Sequence, residues 1–330
     1  METGKTIRIT EMARIASISK SAVTQSLKNE IGVSTGRIYG VEPEAAQRFF
    51  IKRGFGDFYK SGLFVISTQT GGSGKTSTTI NLAISARRIT DRKHAIIMID
   101  GDSQASLSKQ TTGDAAPIGE ATLNSFIENN SSIDDLLTDV GDNMFVVRSN
   151  LQNLYNDRSL SNVTAVRNTM SNLVRGLFKK FGDNTKIFVD TPPQLSAVSQ
   201  SFILACSDIE FGYLLIPIRP DSFGISGAKI CIRESLETLR AFKMEGAAKI
   251  CCFLSAHNSR SSASMTTLKD IIKSDDLSKY ISPVMIRYSQ ELPKSTFRQG
   301  GIFNETKNIK TIGSDYMDLL LTTMGWEAPE

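Results

Sequence analysis

Two kinds of hydrophobic pattern divide this chain. From Leu63 onward, apolar runs of strand length alternate with longer amphipathic stretches. The runs are LFVIS (63–67), AIIMID (95–100), MFVV (144–147), KIFVD (186–190), YLLIPI (213–218), ICCFL (250–254) and PVMI (283–286). Most are continuously apolar, which predicts strands buried on both faces. Residues 75–90, 157–181, 222–243 and 262–273 carry helical spacing. Alternation of this kind predicts an α/β fold, a mostly parallel sheet flanked by helices. Residues 1–60 read differently, as short helices with one turn-rich break. The expected organisation is a small all-α domain over 1–60 and a large α/β domain over 61–330, joined near Gly54, Gly56 and Gly62.

Charge sharpens that division. The net charge is +4, and residues 1–60 hold all of the excess, with ten Lys/Arg against six Asp/Glu. A small basic segment beside a neutral one is expected where a chain meets a polyanion. No apolar run approaches the roughly 20 residues of a membrane span, and the opening METGKTIRIT lacks the apolar core of a secretory signal. A cytoplasmic protein without membrane contact is expected. Four cysteines without metal spacing read as free thiols, and with only His94 and His257 chemistry built on histidine pairs has little to work with.

The chemistry is concentrated after the first strand, in TQTGGSGKTSTTINLA. Gly71, Gly72 and Gly74 let the backbone turn so that its N–H groups face phosphate oxygens, with Ser73 inside the turn. A helix starting near Lys75 adds the positive end of its dipole, and Ser77 belongs to its first turn. Lys75 is placed for the β- and γ-phosphates and the Thr76 hydroxyl for Mg²⁺. Asp100 and Asp102 follow the second strand, and Asp190 ends a later one. Ligands gather at the C-terminal edge of a parallel sheet. Asp190 and Asp100 therefore suit the Mg²⁺ shell, and Asp102 suits orientation of an attacking water; a single Asp there would read as a turn cap. ATP or ADP with Mg²⁺ is the expected ligand, at a P-loop NTPase site. A strict phosphate-loop pattern would carry glycine where Gln69 stands.

The stretch ITEMARIASISKSAVTQSLKNEIG (9–32) fits a helix-turn-helix: Ala13 packs tightly, Ser17 makes the turn, Ser19 caps the second helix and Val23 is buried. That helix would present Ser21, Thr24, Gln25 and Lys28 outward to base edges and phosphates. GRIYG can form a short wing, with Arg37 in reach of a phosphate or the minor groove, and 42–53 form a further helix. A small helical dimerisation module is the competing reading.

The motifs GGSGKTSTTINLA, IIMIDGDSQASLS, FVDTPPQLS and LLIPIRPDSFGISG occur in an order and spacing that resemble the ParA-type partition ATPases, deviant-Walker P-loop proteins related to MinD. The resemblance covers about 63–325. It implies an ATPase that dimerises with ATP, binds DNA non-specifically, is stimulated by a ParB-type centromere-binding partner and associates with the nucleoid. It implies Lys75 as the phosphate lysine, Thr76, Asp100 and Asp190 around Mg²⁺, and Asp102 at the water. Asn258 becomes a candidate base contact, or equally a polar turn residue, and Lys294, Arg298, Lys307 and Lys310 candidates for a DNA-gripping surface. ParA proteins with a winged N-terminal domain that represses the partition genes resemble the whole layout. The chain departs from the family at Thr70, where a lysine reaches across the dimer to the partner's nucleotide. That departure keeps open a transcription regulator with vestigial hydrolysis. A positioner of protein cargo and a metabolic P-loop ligase are further alternatives.

Overall fold

The structure, a computed structural model, describes residues 6–31, 40–244, 248–289 and 309–325. Among these residues seven strands form one sheet: β1 (Gly62–Ile66), β2 (Ile96–Asp100), β3 (Leu137–Gly141), β4 (Met144–Val147), β5 (Lys186–Asp190), β6 (Gly212–Ile218) and β7 (Lys249–Leu254). Their order is β3-β4-β2-β5-β1-β6-β7, and only the β3–β4 pair is antiparallel. The architecture is α/β with a mostly parallel sheet flanked by helices, as the strand–helix alternation predicts, and the glycine turn between β1 and the following helix makes it the P-loop NTPase fold.

Each central strand sends alternate side chains to two separate cores. Phe64, Ile66, Met98 and Phe188 enter one core, while Leu63, Val65, Ile97 and Val189 enter the other. In the first core the rings of Phe64 and Phe188 stack at 4.8 Å, and those of Phe64 and Tyr213 at 5.2 Å. Continuous apolar runs are needed because both faces are covered.

The N-terminal residues form α1 (Ile9–Ile15), α2 (Lys20–Ile31) and α3 (Pro43–Ile51). Ser17 turns the chain with a positive φ of 51°, and Ser19 Oγ accepts the Ala22 N–H at 3.1 Å as the cap of α2. Pro43 in the first turn of α3 costs nothing, since its missing N–H has no helical partner there. Met12, Val23, Phe49 and Phe50 join the first core, which also holds side chains of α4 (Lys75–Ile89).

The chain then runs through α5 (Ser106–Thr112), α6 (Leu123–Ile127), α7 (Ile133–Leu136), α8 (Asn156–Ser159), α9 (Val163–Phe181), α10 (Ala197–Ser207), α11 (Ser222–Ala241), α12 (Ser262–Lys273) and α13 (Ile309–Thr323). The second core draws on α9, α10 and α11, and α13 lies against α4.

Three expectations are corrected. The single helix over 157–181 is two, because Asn162 starts α9 afresh by accepting the Ala165 N–H at 2.8 Å. Residues 283–286 form no strand; isolated bridges at Ile281 and Arg287 flank them, and Pro283 offers no ladder donor. β3 is additional: its LTDVG is half-exposed and polar, so it reads as loop.

Candidate functional site

The sheet brings three loops to one edge. In the parallel ladders Ile66 is level with Asp190, and Asp190 with Asp100. The turn after β1, the acid of β2 and the acid of β5 are therefore neighbours, as predicted.

Gly72 and Gly74 adopt positive φ of 67° and 90°, where a side chain would strain the backbone. Gly74 starts α4 without any side-chain cap. The first N–H groups of a 15-residue helix therefore face the turn with no side-chain acceptor, an arrangement that favours an anion. Lys75 is buried, and desolvation lowers its pKa against the opposing pull of Asp190 and Asp102.

Thr76 Oγ1 donates to Asp190 Oδ2 at 2.6 Å. Asp190 Oδ1 is buried without a partner among the described residues, as is Ser73 Oγ. Burial first, and the nearby Asp100 second, push the Asp190 carboxyl up to about 8. Burial likewise raises Asp100 to about 7. Asp100 Oδ2 accepts from the Ser108 N–H at 2.8 Å and the Ser108 hydroxyl at 2.7 Å, and Oδ1 accepts from the Asp102 N–H at 3.2 Å. Asp100 thus holds the loop after β2, while Asp190 keeps an oxygen free. Asp102 is half-buried and accepts the Gln104 N–H at 2.9 Å.

These residues fit a hard cation beside a phosphate. The donors are oxygens, an unpartnered buried carboxylate oxygen awaits positive charge, and no group of three His, Cys, Asp or Glu forms a separate cage among the described residues. Mg²⁺ bound through one or two carboxylates and substrate phosphates needs no such cage.

Other candidates lie elsewhere. Asn258 Oδ1 accepts the Arg260 N–H at 3.0 Å, the polar-turn arrangement that competes with a base contact. Ser77 is half-buried in the first turn of α4. Ser21, Gln25 and Lys28 are exposed on α2 and Thr24 is half-buried, with Val23 and Leu27 inside. Thr24 Oγ1 donates to the Lys20 carbonyl at 2.9 Å. Arg37, Lys294, Arg298 and Lys307 fall outside the described residues, and Lys310 belongs to the first turn of α13.

Sequence reasoning missed Ser108, whose link to Asp100 has no local signature. Arg219 lies within the LLIPIRPDSFGISG motif, whose local pattern gives it no role.

With this geometry established, a family model described as an AAA domain matches residues 62–245. The chain belongs to the AAA-domain family. No curated protein matches it. Among solved structures, the AAA-domain chain is similar to an ATP complex of McdA from Cyanothece, with a TM-score of 0.66 and 18% identity over 81% of this chain and 97% of that one. It is similar to a Borrelia burgdorferi protein assigned to plasmid partition and bound to AMPPNP, with a TM-score of 0.62 and 14% identity over 80% and 99% of the two chains. Cobyrinic acid a,c-diamide synthase from Mycobacterium smegmatis, with ADP and magnesium, gives 0.60 and 16% over 79% and 94%. At these identities the likeness is one of fold. No helix among the described residues is long and apolar enough to cross a membrane.

Proposed function

We propose that this chain is a Mg²⁺-dependent ATPase of the ParA type that segregates DNA. The observation that carries the reading is the Thr76–Asp190 bond at the uncapped start of α4, level with Asp100. Lys75 and the backbone of 71–74 would hold the phosphates, with Ser77 beside them. Thr76 and Asp190 would hold Mg²⁺, which when bound offsets charge on the β- and γ-oxygens. Asp100 would support Asp190 from the next strand and fix the loop bearing Asp102. Asp102 would orient the water that attacks the γ-phosphorus as the bond to the leaving ADP breaks.

The partition role draws on the motif resemblance, on the fold shared with the Borrelia protein and on the basic helices before the ATPase fold. In this reading 1–60 is a winged helix-turn-helix domain that binds operator DNA through Ser21, Thr24, Gln25, Lys28 and Arg37. Residues 61–330 are the ATPase, which dimerises with ATP and grips DNA non-specifically through residues such as Lys294 and Arg298. A ParB-type partner stimulates hydrolysis, and loss of the γ-phosphate releases the dimer from DNA. A metabolic P-loop enzyme shares the fold, as the synthase likeness illustrates, but has no use for a basic helical module.

The deciding experiment measures ATP turnover with Mg²⁺, alone, with DNA and with the product of the neighbouring gene, for the natural chain and Lys75→Ala. Turnover stimulated by both additions and abolished in the variant is expected. Turnover indifferent to DNA and partner would overturn the partition role, and nucleotide uptake unchanged by Lys75→Ala would overturn the site.

A further inference from the structure

Position 70 lacks the lysine of the ParA-type pattern, and its surroundings explain how threonine fits. A Cβ added to Gly227 of α11 would stand 2.0 Å from Thr70 Oγ1, so α11 is pressed against the first limb of the phosphate loop. Thr70 Oγ1 also donates to the Phe223 carbonyl at 3.4 Å. The side chain at 70 is turned toward its own α11.

A cation nevertheless stands beside this limb. Arg219 directly follows β6, the neighbour of β1, and one of its terminal guanidinium nitrogens lies 3.7 Å from where a Cβ on Gly72 would be. Its Nε is tied to the Asp221 carboxylate. The other oxygen of Asp221 accepts the Gly224 N–H at 2.7 Å as the cap of α11. A Cβ at Gly224 would lie 2.1 Å from the Arg219 carbonyl oxygen, so the turn is tightly closed. One edge of the guanidinium is anchored, while the Nη groups have no hydrogen-bond partner among the described residues and the side chain is 40% exposed.

We propose that Arg219 contacts the terminal phosphate of ATP bound to its own chain and supplies the positive charge that Thr70 does not. The loop backbone cradles the α- and β-phosphates and Lys75 reaches β and γ, so the γ-oxygens are the part with room for another donor. A guanidinium offers paired N–H groups on one edge, which suits phosphate better than a single ammonium. The bland alternative is that Arg219 serves only to steady Asp221 and the start of α11. The proposal rests on the reading of 70–76 as an ATP site.

Calorimetry with Mg²⁺ and either AMPPNP or ADP separates the cases, with thermal unfolding as the check on folding. Arg219→Ala and Arg219→Gln are expected to weaken AMPPNP roughly ten- to a hundredfold, the worth of a hydrogen bond to a charged group. ADP binding should stay within about twofold, and Arg219→Lys should recover part of the AMPPNP affinity. Equal loss of both nucleotides would mean a structural role, and no loss would mean the guanidinium does not reach the phosphate; either overturns the proposal. Lys75→Ala should lose both nucleotides. A natural chain that takes up neither would remove the ATP site and this inference together, whereas normal binding by Arg219→Ala alone removes only the inference.

Discussion

Arg88 grips Glu11 with both terminal nitrogens, Nη1 to Oε1 at 3.0 Å and Nη2 to Oε2 at 2.7 Å. The two side chains are only 8% and 14% exposed, and Arg88 Nε also donates to the Thr6 carbonyl at 3.1 Å. Arg88 is in the last turn of α4, the helix that starts directly after the glycine turn 71–74. One helix about 22 Å long therefore joins the candidate site to the N-terminal helices. Glu11→Ala strands a buried guanidinium and should cost about 3–5 kcal/mol in urea unfolding. Replacing both residues with methionine should cost much less, because no unpaired charge remains. A single variant as mild as the half-exposed Arg14–Asp318 pair, worth under about 1 kcal/mol, would show that the two parts do not depend on this tie.

Asp190 presents a conflict between stability and function. Its Oδ1 is buried without a partner, and burial with Asp100 nearby opposes its ionised form. Asp190→Asn keeps an acceptor for the Thr76 hydroxyl and removes the charge. Without nucleotide or Mg²⁺ it should be more stable than the natural chain, by about 1–3 kcal/mol of relieved desolvation. Mg²⁺-dependent turnover should fall about a hundredfold or more. Thermal unfolding of the apo protein and steady-state turnover read the two effects. A variant that is both less stable and fully active would contradict this account of the site.

Legibility in the sequence followed how local the cause was. The glycine turn, Lys75 and Thr76 are contiguous, and the structure assembles them as their spacing implies. Six apolar runs became β1, β2, β4, β5, β6 and β7 because burial on both faces demands continuous hydrophobicity. β3 escaped notice because an edge strand needs no such run, and Asp139 and Gly141 straddle a register shift in it. The break before α9 was available locally in Asn162, a good cap hidden within a helical period. The Ser108–Asp100 bonds, the Arg88–Glu11 pair and the approach of Arg219 to Gly72 join residues distant in the chain. Only the folded topology brings them together.

On α2, different residues should fail in different ways. Gln25 and Lys28 are exposed one turn apart, while the Thr24 hydroxyl is already bonded to its own helix. If α2 enters the major groove, Gln25→Ala should relax preference at one base pair at a cost of about 1–3 kcal/mol. Lys28→Ala should weaken all sequences alike and lower the salt slope by about one. Fluorescence anisotropy against DNA upstream of the chain's own gene, over a salt series, measures both. ATP affinity should not change in either variant. Operator binding unaffected by the double variant would leave the helix pair as a packing or dimerisation module.

Lys186 gives the fold a pH dependence remote from the site. It opens β5 with no exposed surface, its Nζ donates to the Lys60 carbonyl, and it lies 5.3 Å from the centre of the Phe58 ring. Burial lowers its pKa to about 7 from an ordinary value of 10.5. Below about pH 7 the folded and unfolded chains both carry the proton. Above it the folded chain releases the proton while the unfolded chain keeps it, so stability from this group rises with pH and levels off near 10.5. Between pH 7 and 9 the rise should be about 1–3 kcal/mol in urea unfolding. Lys186→Met removes the ionisable group and should flatten that rise, even though the Lys60 carbonyl loses its donor. A methionine variant that climbs as steeply as the natural chain would assign the effect to other groups, with Lys186 keeping its proton in the fold throughout that range.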